Sequence, residues 1–201
     1  MRSRKSAEVR RGEIVAAALT LIDRGGPSAV TTTAIAEAIG ISQAAVFRHF
    51  PKKDEILLGV VDWIGGQLMP RVLAAAGRSG NPLERLQAVI DTVLRIVTDT
   101  PAMPALLFSR ELHNENAILR TAVYGRIVHV HDLLTRILRD GVDRGYFCAK
   151  IDVDRAAFMI IGLFQGLLVR WSLSGRCLNL EEEGQAMFVM LLDGFLARRE
   201  R

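Results

Sequence analysis

Cysteine is scarce in this sequence: Cys148 and Cys177 are the only two in 201 residues. Neither belongs to a Cys-x-x-Cys pair or has histidine-rich neighbours, which argues against a disulfide framework and a thiolate zinc site and leaves only the question of a redox role. Long hydrophobic runs are also missing. The longest, "AAFMIIGLFQGLLV" from Ala156 to Val169, is closed by Arg170 and falls short of a membrane span, so it is expected to be a buried helix. No apolar stretch follows the charged opening "MRSRKSAEVRRGE", and the expectation is a cytoplasmic protein with no membrane partner. There is no nucleophile–base motif, no phosphate loop and no carboxylate dyad in a defined context, so neither enzymatic activity nor a cofactor is expected. His129 and His131 are two apart on a helical segment and diverge, which removes them as a metal pair. Strand-like alternation, internal repeats and low-complexity segments are absent as well.

What is present is a soluble globular composition, 50% hydrophobic and 24% charged, with its positive charge unevenly placed. Residues 1–53 hold nine of the 26 Lys/Arg and four of the 22 Asp/Glu, a surplus of five; the rest of the chain holds 17 against 18. A basic head on a neutral body suits a polyanionic partner, of which DNA is the commonest. A solvated basic arm without a partner would carry the same charge.

Helical periodicity runs through nearly every segment, so the chain is expected to be all-α. Ile14, Ala17, Ala18, Leu21 and Ile22 form one apolar face that stops at Gly25-Gly26-Pro27. Thr31 offers an N-cap for a short helix with Ile35, Ala36 and Ile39 inward, Gly40 ends it, Ser42 caps a second short helix from Gln43 to about Phe50, and Pro51 stops that one. Two short helices joined by a tight glycine turn form a helix-turn-helix. Ala36, Val46 and Phe50 are placed to lock it, which leaves Gln43, Ala44, Ala45, Phe47, Arg48 and His49 facing outward or sideways. Small residues at the start of the second helix let its N-terminus approach base edges. A helix from Lys53 follows, weakened at Gly65-Gly66 and interrupted at Pro70, and then helices over about 82–99, 102–113, 115–141, 152–173 and 181–198.

The stretch from "RRGEIVAAALTLIDRGG" through "TTTAIAEAIGIS" to "AVFRHFPKKDEIL", about residues 10–57, resembles the TetR family of bacterial transcriptional regulators. Thr31-Thr32, Ile35-Ala36, Gly40, Ser42, Phe47, His49-Phe50 and Lys53 carry the likeness; the rest of the chain matches only in helical layout. The resemblance implies a three-helix DNA-binding head over residues 1–53 and a helical body over residues 54–201 that holds an effector pocket and dimerises through its last two helices. Carried over by position, it implies that Thr31 and Thr32 bond phosphate, that Gln43 and Ala44 sit at the major-groove floor, and that His49 and Lys53 contact backbone. Phe47 stands where tyrosine is usual and has lost a phosphate-bonding hydroxyl; Ala44 stands where glycine is frequent. With Ser42, Arg48 and Lys52 these residues form the expected DNA-facing set, joined by a basic arm of Arg2, Arg4, Lys5, Arg10 and Arg11.

In the body, Gly162 and Gly166 sit four apart and permit close helix approach, within the chain or across a dimer. With Leu163, Leu167, Met187, Leu191 and Phe195 they make up the expected homodimer interface. The expected effector-binding residues are Trp63, Met69, Met103, Leu107, Phe108, Val123, Ile127, Met159 and Trp171, with Arg110, Glu111, His113, His129 and Arg170 as polar anchors, although the apolar members serve equally well as plain core. The functional expectation is a ligand-responsive regulator, specifically a repressor released from a near-palindromic operator when a small apolar effector shifts the helix that begins at Lys53. The alternative is an architectural or nucleoid-associated DNA-binding protein without an effector.

Overall fold

The structure is a computed structural model that describes residues 6–196; Arg2, Arg4 and Lys5 lie outside the described residues, as does the side chain of Glu111. Among the described residues there are nine α-helices and no β-strand: α1 (Ala7–Gly25), α2 (Thr32–Ile39), α3 (Gln43–His49), α4 (Lys53–Ala76), α5 (Pro82–Asp99), α6 (Ala102–Leu107), α7 (Ala117–Asp143), α8 (Val153–Leu173) and α9 (Leu180–Asp193). A 3-10 turn over Pro27–Ala29 and a π-helical turn over Glu111–Glu115 were not foreseen from the periodicity. Within the described residues the chain packs as two units. The first runs to Gly66 and takes in Pro101–Tyr124; the second holds Gln67–Thr100 and everything from Gly125 onward. The expected division falls after residue 53, whereas packing places the first fourteen residues of α4 and the segment around α6 with the head.

The first unit is built around α1. Ser6 caps its start by accepting from the Val9 N–H at 3.3 Å, so the helix begins at Ala7, ahead of its first apolar-face residue Ile14. Ile14, Ala18 and Ile22 of α1 are fully buried with Val30, Ile35, Val46, Ile56 and Val60, and Leu106, Leu112 and Leu119 close the same core. Met103, Leu107 and Val123, expected to touch effector, pack against it.

Three helix limits differ from expectation. Pro70 does not interrupt α4. Proline lacks the N–H that would bond the Gly66 carbonyl, but Leu68, Val72, Ala75 and Ala76 around it are all buried, and that packing carries the helix through. The helix expected over 102–113 ends at Leu107, because the buried Ser109 hydroxyl donates to the Leu106 carbonyl at 2.8 Å and accepts from the Leu112 N–H at 3.2 Å, competing with the helical ladder. α9 stops at Asp193 rather than 198: Gly194 caps it, and Leu196 turns back to form an isolated bridge with Phe147. The apolar run from Ala156 lies inside the 21-residue α8, and by length and composition α4 and α8 meet the criteria for a membrane span. Each also buries residues in the packed units.

In the second unit α9 packs on both α5 and α8. Gly184 permits the crossing, since a Cβ there would lie 2.7 Å from both methyl groups of Leu94 and 3.3 Å from Leu167. Arg85 ties the start of α5 to α7 by donating to the Asp140 carboxylate at 2.8 Å, and to the end of α4 by donating to the Ala76 carbonyl at 2.7 Å. Cys148 is half-buried, Cys177 is exposed, and both are free. No group of three His, Cys, Asp or Glu among the described residues is placed to hold a metal ion.

Candidate nucleic-acid interface

The turn between α2 and α3 follows from residue chemistry. Thr31 caps α2 by accepting from the Ala34 N–H at 3.0 Å, and Ser42 caps α3 by accepting from the Ala45 N–H at 3.2 Å. Between them Gly40 adopts φ +66°, a left-handed conformation that a Cβ penalises, and the following N–H of Ile41 closes the helix end on the Ala36 carbonyl at 3.0 Å. Val46 and Phe50 are buried against α1 and α2 residues, which sets the roll of α3 and turns Gln43, Ala44, Phe47 and Arg48 outward to solvent. Thr31, Ser42 and Lys52 are exposed on the same segment, while Thr32, His49 and Lys53 are half-buried.

Two side-chain contacts organise this surface. The Gln43 amide donates from Nε2 to the Thr32 hydroxyl at 2.8 Å, linking the first residue of α3 to the first residue of α2. Arg11 donates to the His49 carbonyl and lays its guanidinium 3.9 Å over the Phe50 ring, clamping the C-terminal end of α3 to α1. Arg11, expected to track DNA backbone, is exposed and engages its guanidinium within the protein as well. Arg10 is likewise paired, with Glu13 at 2.8 Å. Among the described residues no ion pair involves Arg48, Lys52 or Lys53. Lys53 opens α4, where the helix dipole disfavours a cation, so its position is better suited to an external anion than to the helix itself. Burial, and then the charges of Arg48, Arg10 and Arg11, hold the His49 imidazole below its ordinary 6.5. At neutral pH it is therefore an uncharged ring able to donate one hydrogen bond.

The matches to known proteins agree with this geometry. Residues 14–60 match bacterial regulatory proteins of the tetR family, and residues 79–195 match the tetracyclin repressor-like C-terminal domain. The chain belongs to the TetR family. It is a DNA-binding transcriptional regulator of that family, with the head at α1–α3 and a helical C-terminal domain. The nucleoid occlusion factor SlmA of Vibrio atlanticus is 29% identical over 163 residues, which cover 81% of this chain and 83% of that protein. Among solved structures, the fatty acid degradation regulator FadR of Bacillus halodurans has the same fold with a TM-score of 0.83 at 20% identity, over 98% of this chain and all of its own. FadR of Bacillus subtilis, in complex with stearoyl-CoA, superposes with a TM-score of 0.80 at 21% identity, covering 92% of this chain and 98% of its own.

The expected effector and dimer residues of this TetR-family chain fall out as follows. Trp63, Met103, Leu107, Phe108, Arg110, His113 and Val123 belong to the first unit; Met69, Ile127, His129, Met159, Arg170 and Trp171 belong to the second. Arg110 is paired with Glu115 at 3.1 Å, and the His113 ring nitrogen Nε2 lies 3.0 Å from the Leu107 carbonyl, so both are occupied locally. Trp171 is buried, with Arg176 over its ring, and Met159 is exposed. Of the expected interface, Leu167 and Phe195 are corrected: both are buried in the second unit, Leu167 beside Gly184. Gly162 and Gly166 are exposed, with open space where a Cβ would stand. Leu163, Met187 and Leu191 are half-buried. The exposed large apolar positions on these two helices are Phe158 (74% exposed), Met159, Val169 and Leu173 (83%) on α8 and Val189 and Met190 (76%) on α9. Periodicity had missed them because both faces of α8 are apolar and only packing reveals which one the chain itself covers. A cleft of about 580 Å³ opens in the second unit between α5 and α9, lined by Leu83, Gln87, Ala88, Asp91, Val189 and Leu192 among others. None of the expected effector residues lines it.

Proposed function

We propose that the protein is a cytoplasmic homodimeric repressor that holds a near-palindromic operator through two copies of the α3 face and releases it on binding a small, largely apolar effector. The observation that carries the reading is the α3 surface itself: Gln43, Ala44, Phe47 and Arg48 are exposed on a helix locked from behind by Val46 and Phe50. The dimer is supported by the apolar stripe Phe158, Val169, Leu173 and Met190, whose exposure suits an interaction surface better than solvent. The apolar character of the effector is supported by the exposed aromatics Trp63 and Phe108 and by the acyl chain of the stearoyl-CoA in the complex of FadR of Bacillus subtilis. Selection of duplexes from a random pool, followed by footprinting, tests the reading. A short inverted repeat protected on both halves is expected, whereas uniform coverage of any duplex would sink it. Phe108→Ala is then expected to weaken release of that operator by long-chain acyl-CoA while leaving effector-free affinity unchanged; equal loss of both would mean general destabilisation instead.

A second reading is favoured by one observation, the 29% identity to a nucleoid occlusion factor over 81% of the chain. On it the same head binds many chromosomal sites and no effector acts. Chromosome-wide occupancy compared with transcript levels in a deletion strain separates the two. Dispersed sites without changed neighbouring transcripts favour this reading, and a few promoter sites with derepressed genes favour the first.

A further inference from the structure

We propose that Thr32 is a positioning residue for base reading: it holds the Gln43 amide in one orientation and couples a phosphate contact to the identity of the base that Gln43 meets. The proposal rests on the reading of α3 as the groove-facing helix.

Gln43 is exposed at the first position of α3, where a free glutamine would sample many rotamers. It is tied instead. Its Nε2 donates to Thr32 Oγ1 at 2.8 Å, and Thr32 is itself half-buried and β-branched, with few rotamers of its own. The capping work at both helix starts falls to the preceding residues, Thr31 and Ser42, so neither Thr32 nor Gln43 is needed to close a helix end.

Hydrogen-bond accounting then fixes what the surface can read. A primary amide has two N–H donors and one carbonyl acceptor. Thr32 occupies one donor, leaving one N–H and the carbonyl at the tip of Gln43. That pair matches the major-groove edge of adenine, which offers N7 as acceptor and N6 as donor; guanine offers two acceptors there. The Thr32 hydroxyl, accepting from Gln43, keeps its own proton to donate to a phosphate oxygen. The chain amide N–H to hydroxyl to phosphate runs in one direction, so each bond polarises the next. Seating the phosphate therefore tightens the grip on the amide, and a hydroxyl assigned to backbone contact acquires an effect on sequence preference.

The test uses the full chain and the duplex that the wild type selects. Free-protein ¹H–¹⁵N spectra come first: Thr32→Val is expected to shift the Gln43 side-chain amide resonances and leave the core methyl resonances in place. Affinities of wild type, Thr32→Val, Thr32→Ser, Gln43→Ala and the Val–Ala double variant are then measured on the selected duplex, on a scrambled one, and on one with 7-deazaadenine at the base whose preference Gln43→Ala abolishes. Thr32→Val is expected to lower the selected-to-scrambled preference by about tenfold, as Gln43→Ala does. The double variant is expected to be no less selective than Gln43→Ala alone, Thr32→Ser to restore the preference, and 7-deazaadenine to cost the wild type but not Gln43→Ala. Equal weakening of both duplexes by Thr32→Val, additive losses in the double variant, or a guanine at the Gln43-dependent position would each overturn the coupling. A wild type that prefers no duplex at all overturns the groove-facing reading and this proposal with it.

Discussion

Arg11 and Lys53 are both cations of the head, and the structure assigns them opposite work. Arg11 is engaged with the His49 carbonyl and the Phe50 ring, whereas Lys53 stands at a helix start that its charge does not help. Arg11→Ala is therefore expected to lower stability by about 1 kcal/mol through loss of the ring contact, with the slope of log K against log salt unchanged. Lys53→Ala is expected to leave the melting temperature in place and to flatten that slope by about 0.9 if one phosphate contact is lost. Thermal melts and salt titrations of the two variants check both, and a reversed pattern would reassign the residues. His49 adds a pH dependence of two signs. Its folded-state value lies below the ordinary 6.5, so its contribution to stability is present above that pH and declines as pH falls toward the depressed value. A phosphate beside the ring would favour the protonated form, so operator affinity is expected to rise over the same fall in pH. His49→Gln should flatten both curves, and a DNA affinity that stays pH-dependent in that variant would remove His49 from the contact.

At the level of elements, glycines that look alike in the sequence do different things. A Cβ on Gly141 would lie 2.2 and 2.3 Å from the Phe147 ring, which is buried and held by the bridge to Leu196. Gly12, inside α1, has nothing within 4 Å of the corresponding point. Gly141→Ala is expected to destabilise by about 1–3 kcal/mol, because the rigid ring cannot yield without opening the bridge. Gly12→Ala is expected to stabilise by about 0.5–1 kcal/mol through helix propensity alone. Chemical denaturation of the two variants reads the difference. The caps at Thr31, Ser42 and Asn81 and the stops at Gly26 and Gly40 were legible because each is a local signal, settled by groups at most five residues apart. The run through Pro70 was not, since it depends on buried neighbours; the break at Ser109 is as local as the caps, but a serine inside a helical apolar pattern carries no stop signal of its own.

For the whole molecule, the proposed dimer has a direct test. Leu173→Glu and Met190→Glu place charge on exposed apolar positions that contribute little to the chain's own core, so each is expected to convert a dimer to a folded monomer in light-scattering measurements. Gly166→Leu, at a position with open space in the single chain, is expected to weaken association without lowering monomer stability. A dimer as tight as the parent in all three would move the interface elsewhere. The all-α class, the helix-turn-helix and its outward residues were determined by the sequence itself, through periodicity, caps and one run of small and basic residues near residue 43. The tertiary structure decided what spacing cannot carry. Leu167 and Leu173 share a helix and nearly the same hydrophobicity, yet one is sealed beside Gly184 and the other faces solvent. Arg11 and Lys53 share a charge, yet only the fold brings a carbonyl and a ring to Arg11 from 38 residues away. Burial and long-range partnership belong to pairs of segments, and a pattern along one segment holds no record of which partner it meets.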